Sequence, residues 1–120
     1  MKLKVFVYRE EGPLKEALDK IRELKRRFKE GVYLKSKVQE FNRELEWVLA
    51  LEGMLDLSEA ICMGAFERKE CRGSHWRLDH LGRDDENFLK HTLVNYVDGE
   101  AKLSYLDVII TKWQPEERKY

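Results

Sequence analysis

The residues best equipped for chemistry lie in one stretch, RKECRGSHWRLDHLGRDDEN, from Arg68 to Asn87. It sets Cys71 among Lys69, Arg72 and His75, and a thiolate activated by cations and an imidazole is a nucleophile. That is the pattern a thiol enzyme would need, although neighbours in sequence are not thereby neighbours in space. Cys71, His75, Asp79, His80, Asp84 and Asp85 are also metal-ligating types. Structural zinc sites pair their ligands at short fixed spacings, and nothing here repeats as CxxC or HxxxH. A phosphate cradle needs clustered glycines, but Gly73 and Gly82 stand alone and neither GxxxxGK nor GxGxxG occurs in the chain. The pattern supports an ion-pair array instead. Arg68, Arg72, Arg77 and Arg83 alternate with Glu70, Asp79, Asp84 and Asp85, with His75 among them. Guanidinium and carboxylate pair in a bidentate manner, so the array closes either within the domain or across a docking interface. No catalytic, cofactor-binding or metal-ligating residue is assigned.

The elements around this block follow from periodicity. From Pro13 to Glu30, Leu14, Ala17, Leu18, Ile21, Leu24 and Phe28 recur at three- and four-residue steps, which predicts an amphipathic helix that Gly31 stops. Its outer face carries Lys15, Lys20, Arg22, Lys25, Arg26, Arg27 and Lys29. Glu16, Asp19, Glu23 and Glu30 interleave at pairing distance, so the face reads as salt-bridged and solvated rather than as a phosphate strip. Asn42 suits an N-cap, and a second helix is expected from Arg43 to about Lys69. Its apolar residues, Leu45 through Phe66, fill more than one stripe, as in a core helix with neighbours on several sides, and Trp47 and the methionines read as packing. Gly53 and Gly64 would permit a bend or a close helix contact.

Residues 71–87 show neither helical nor strand period and are expected as a loop. Residues 88–110 read as a hairpin turning at Asp98-Gly99, with Val94 facing Leu103, Thr92 facing Tyr105 and Tyr96 facing Ala101. The opening KLKVFVY alternates like a short strand, and the tail WQPEERKY reads as extended along the surface. The fold class is therefore mainly α with a small β part, in one domain over residues 1–120. It is a helical bundle of two main helices, the second long, plus the charged loop and a C-terminal hairpin.

Composition narrows the function classes. The 23 Lys and Arg balance 23 Asp and Glu over 120 residues, so no net field draws the chain to nucleic acid or an anionic membrane. No apolar run approaches the roughly 18 residues of a spanning helix, and the first residues lack a signal-peptide pattern. Cys62 and Cys71, on one helix, would stand roughly 13 Å apart along its axis. They would then be unable to pair, which points to a reducing cytosol. Charged residues make up 38%, a balance found in proteins of very hot environments.

Taken in order, "VYREEGPL", "ALDKIRELKRRF", "FNRELEWVLALEGMLDLSEA", "RKECRGSHWRLD", "RDDENFLKHTL", "DG...LSYLDVIIT" and "PEERKY" resemble the C-terminal region of the flavoprotein subunit of succinate dehydrogenase and fumarate reductase. The family signature is ESRGAH. Glu70, Arg72, Gly73 and His75 match it, while Cys71 replaces serine and Ser74 replaces alanine. L-aspartate oxidase shares the ESRG-type segment, but Arg83-Asp84-Asp85 and Lys90-His91-Thr92 are more similar to the succinate and fumarate enzymes. The resemblance implies a parent flavoprotein that interconverts succinate and fumarate by hydride transfer at FAD. It implies electron transfer to an iron–sulfur subunit, in a complex peripheral to the cytoplasmic side of a membrane. The glycine-rich dinucleotide domain, the capping domain and the family's substrate-gripping residues fall outside this segment. The chain is accordingly expected to be non-catalytic, to hold no cofactor itself, and to pack on the FAD-binding domain. An exposed docking face would also favour self-association. The rival readings are a stand-alone interaction module and an L-aspartate oxidase C-terminal domain.

Overall fold

The computed structural model describes residues 4–116. In chain order the elements are β1 (Tyr8–Arg9), α1 (Glu11–Glu30), α2 (Arg43–Glu67), β2 (Trp76–Arg77), α3 (Asp85–Phe88), β3 (Lys90–Val97) and β4 (Glu100–Asp107). The predicted class, two main helices with a charged loop and a hairpin, is the class found. Helix α1 begins two residues before Pro13, because proline lacks only an N–H that a first turn leaves free. It ends where Gly31 adopts φ 135°, a backbone region that side chains rarely enter, and the Gly31 N–H donates to Phe28 O at 3.2 Å. Helix α2 starts at the Asn42 cap, whose Oδ1 accepts from the Leu45 N–H at 3.1 Å.

The two helices run antiparallel, with the Cys62 thiol donating to Leu14 O at 3.4 Å near one end and Lys25 meeting Asp56 and Glu59 further along. Between them lies a small core of Val5, Leu14, Ala17, Leu18, Ile21, Cys62 and Ala65, edged by Met63 and Phe66. The hairpin rests on α2 through the even-numbered positions of β3, and its register pairs Val94 with Leu103, Thr92 with Tyr105 and Tyr96 with Ala101, as predicted. Asp98 and Gly99 both have positive φ, which sets the right-handed twist of a two-residue turn. The strands run only from Lys90 to Asp107, so residues 88–89 and 108–110, read from the sequence as part of the hairpin, lie outside it.

Four further expectations need correction. The block 71–87 contains short elements: an Arg72–His75 bridge, β2, and the first residues of α3. The opening segment forms a strand only at Tyr8–Arg9, paired in parallel with Trp76–Arg77; the start of that reading and residues 117–120 of the tail lie outside the described residues. Trp47, Leu49, Met54, Leu57 and Ile61 are exposed rather than packed, because within this chain α2 has neighbours on only part of its circumference. Gly53 meets nothing, and a Cβ at Gly64 would lie 3.6 Å from Thr92 Cγ2, an ordinary contact, so neither glycine marks a close helix crossing.

The outline is open. A compact chain of this length has a radius of gyration of about 14 Å; this one has 18.2 Å and extents of 57 × 30 × 30 Å. Its accessible surface is 9696 Å², against roughly 6,800 Å² for a folded monomer of its mass.

Candidate functional site

The charged block wraps the C-terminal end of α2 and the N-terminal end of α1, and its charges meet within the chain. Arg77 is fully buried. Its Nη1 donates to the carbonyls of Ala65, Phe66 and Arg68 at 3.2, 3.1 and 3.2 Å, oxygens that the end of α2 leaves without helical partners. The remaining edge of the guanidinium grips Asp79, Nε to Oδ1 at 2.7 Å and Nη2 to Oδ2 at 2.8 Å. Asp79 Oδ2 in turn accepts from the Glu11 N–H at 2.8 Å, in the first turn of α1. One bidentate pair thus places a cation at a helix C-terminus and an anion at a helix N-terminus, each complementing its macrodipole. Hydrogen bonding from Arg77 holds the Asp79 carboxyl far below its ordinary range.

Glu70 is the second centre. Its side chain is wholly buried and accepts from Arg72 Nε at 2.8 Å, from Arg72 Nη2 at 3.0 Å, from the Asp84 N–H at 2.8 Å, and from Arg68 Nη1. Burial by itself would raise the Glu70 pKa, but the Arg72, Asp84 and Arg68 bonds outweigh it and hold it below 4.5. Arg72 passes on to Asp85 Oδ1 at 2.5 Å, and Asp85 Oδ2 meets Arg83 Nη2 at 2.8 Å. Arg83 Nη1 reaches the tail at Glu116 O, 2.6 Å away. Arg68 donates to Phe88 O at 2.9 Å and Lys90 O at 2.6 Å, tying α2 to the start of β3. The Asp84 side chain caps α3 through the Asn87 N–H at 3.0 Å.

His75 is buried with Nε2 2.9 Å from Arg68 O and Nδ1 against Arg9 Nη1. A carbonyl only accepts, so Nε2 carries the hydrogen and Nδ1 is the acceptor. Burial pushes the His75 pKa below 6.5; the bond to Arg68 O opposes this, and the cations Arg9, Arg77 and Arg68 add to it. A histidine with a depressed folded pKa is neutral and harmless above 6.5. As pH falls from 6.5 through the folded value, the unfolded chain takes up the proton first and stability is lost. Thermal melts across this range should show that loss, and His75→Gln should flatten it relative to the wild type.

Cys71 does not face an imidazole base. Its Sγ lies 3.3 Å from Arg77 O and 3.4 Å from His80 O, and it accepts from the Arg77 N–H at 3.2 Å. A serine hydroxyl can donate and accept in the same places, so Cys71→Ser should change stability by less than about 1 kcal/mol, measured by urea denaturation. Asp79, Asp84 and Asp85 are likewise engaged within the chain. Among the described residues the tightest group is Glu11, Asp79 and His80, with ligand atoms within 4.8 Å, but it is largely exposed and Arg77 occupies both oxygens of Asp79.

A second buried charge cluster lies outside the predicted block. Glu59, buried on α2, accepts from Lys25 Nζ at 2.5 Å, Arg22 Nε at 3.2 Å and Tyr96 Oη at 3.1 Å. Lys25 also reaches Asp56 at 2.8 Å and lies over the Tyr96 ring, 4.5 Å from its centre. Burial would lower the Lys25 pKa, but the bonds to Asp56, Glu59 and Tyr96 raise it above its ordinary value. The sequence carried one signal for this cluster, a glutamate in the apolar run of α2. Beside it a cleft of about 480 Å³ opens between Arg22, Arg26 and Lys29 and the hairpin turn. Among the described residues no buried side-chain nitrogen or oxygen lacks a partner. Among the described residues no helix is long and apolar enough to cross a membrane.

A histidine bonded to Arg68 O and Arg9, a thiol bonded to backbone and carboxylates paired with arginine form an ion-pair array within the chain. The comparisons with known proteins agree with the order of motifs along the chain. The family described as "Fumarate reductase flavoprotein C-term" matches residues 1–120. The fumarate reductase flavoprotein subunit of Mycobacterium tuberculosis is 45% identical over 116 residues, covering 95% of this chain and 20% of its own. That of Haemophilus influenzae is 42% identical over 115 residues, covering 95% and 19%. The Escherichia coli quinol fumarate reductase chain FrdA superposes with a TM-score of 0.85 at 39% identity, covering 92% of this chain and 19% of its own. The chain thus spans about a fifth of the length of the relatives it matches, and it belongs to the fumarate reductase flavoprotein C-terminal family.

Proposed function

We propose that this chain is the non-catalytic C-terminal domain of a flavoprotein that interconverts succinate and fumarate, and that it packs on the FAD-binding part of that protein. The observation that carries the reading is the match of the whole chain to a C-terminal family together with its coverage of only a fifth of the relatives. The open outline and the surplus of accessible surface support it, because a domain shaped by a neighbour keeps an uncovered face. The saturated charges of the block support a structural role: the array fixes the loop and both helix ends, and so shapes the domain. FAD belongs to the larger part of the flavoprotein, where hydride transfer to and from the dicarboxylate takes place. Electrons pass to an iron–sulfur subunit of the same complex, which sits on the cytoplasmic side of a membrane.

The test is co-isolation. The chain is tagged at its genomic locus and isolated under gentle conditions from its source. A flavin-bearing polypeptide, either continuous with the tagged residues or bound to them, is expected in stoichiometric amount. Recovery of the chain without any flavoprotein would overturn the reading.

A further inference from the structure

The ribbon formed by β1 and β2 has one filled face and one open face. Exposure alternates along the first strand and its approach, with Val5 buried, Phe6 68% exposed, Val7 half-buried and Tyr8 69% exposed. It alternates along the second as well, where His75 and Arg77 point into the charged array while Trp76 is 45% and Leu78 47% exposed. The parallel register sets Tyr8 directly beside Trp76, and the ladder bonds run from Trp76 N to Val7 O at 3.1 Å and from Leu78 N to Arg9 O at 2.9 Å. Phe6, Tyr8, Trp76 and Leu78 therefore share the outward side. Parallel strands occur almost always with both faces covered, so a two-stranded parallel ribbon with four large apolar residues facing water is unusual. The inner face cannot rotate outward to relieve this, because Arg77 is locked to the carbonyls of α2 and to Asp79.

The geometry points to the outer face of this ribbon as the surface on which the preceding part of the flavoprotein seats, an inference that rests on the function proposed above. Two observations select that occupant. The matched family consists of C-terminal regions, so the greater part of each relative precedes the segment this chain resembles. Residues 4–7 lead straight into β1, so polypeptide preceding the matched region in those relatives approaches the ribbon itself. The occupant is accordingly apolar at its contact, and aromatic residues such as Tyr8 and Trp76 are the side chains that dominate buried interface centres.

Hydroxyl-radical footprinting of the flavoprotein isolated with the tagged chain tests this, with oxidation of Trp76 and Tyr8 read by peptide mass spectrometry against the same material unfolded in urea. Seating predicts that Trp76 oxidises roughly tenfold or more slowly than in the unfolded chain, since an interface centre excludes water. An uncovered ribbon predicts about half the unfolded rate, in line with its 45% exposure, and that result would overturn the inference while leaving the proposed function standing. Recovery of the chain with no flavoprotein would overturn both. Protection of Trp76 that persists in material holding only copies of this chain would assign the surface to self-association and contradict the inference.

Discussion

Arg77→Ala should destabilise the fold by about 3–5 kcal/mol, the scale of emptying a buried site and leaving several hydrogen-bond acceptors without their donor. The side chain is fully buried, and its loss strips the carbonyls of Ala65, Phe66 and Arg68 of their donor. It also leaves Asp79 without its bidentate partner. Both main helices depend on that pair, so the damage should spread beyond the loop. Urea denaturation with circular dichroism measures the effect. Arg77→Lys should recover only part of the loss, because an ammonium cannot span three carbonyls and a carboxylate with a planar fork. Equal stability of the alanine variant and the wild type would show that the cap is not structural.

Glu70→Gln should cost about 1.5–3 kcal/mol, the range for hydrogen bonds to a charged group. Glutamine keeps the volume, but its amide removes an acceptor from the shell formed by Arg68, Arg72 and the Asp84 N–H. Its signature lies in the pH dependence. A carboxyl held below 4.5 contributes stability above 4.5 and loses it as pH falls through the folded value. The wild type should therefore weaken in acid below 4.5 more steeply than Glu70→Gln, in urea titrations at a series of pH values. The loss assigned to His75 sets in higher, as pH falls from 6.5, so its onset can be read from the same curves.

Local signals carried the parts of this molecule that were legible from its residues. The hairpin register followed from Asp98-Gly99 and period-two alternation, because a two-residue turn fixes every pair behind it. The N-cap at Asn42 and the stop at Gly31 are equally local. The arginines and acids of the block could be seen as an array, but not how they pair, since Arg77 serves a helix that ends ten residues before it. The Glu59 cluster joins residues 34 and 37 positions apart, and a glutamate in the apolar run of α2 hints at it without naming its partners. The parallel β1–β2 pairing is two residues long and joins the segment before α1 to the segment after α2, below what periodicity resolves. Several apolar residues of α2 read as core are exposed, because within this chain the helix has neighbours on only part of its circumference.

The most direct measurement is made on the purified chain itself, by titration with FAD followed by an assay of fumarate reduction with a reduced artificial donor. The chain should stay colourless, leave the flavin spectrum unchanged and turn over no fumarate, because Glu70, His75, Cys71 and Asp79 are committed to holding the fold. A chain that binds flavin stoichiometrically and reduces fumarate would contradict this expectation.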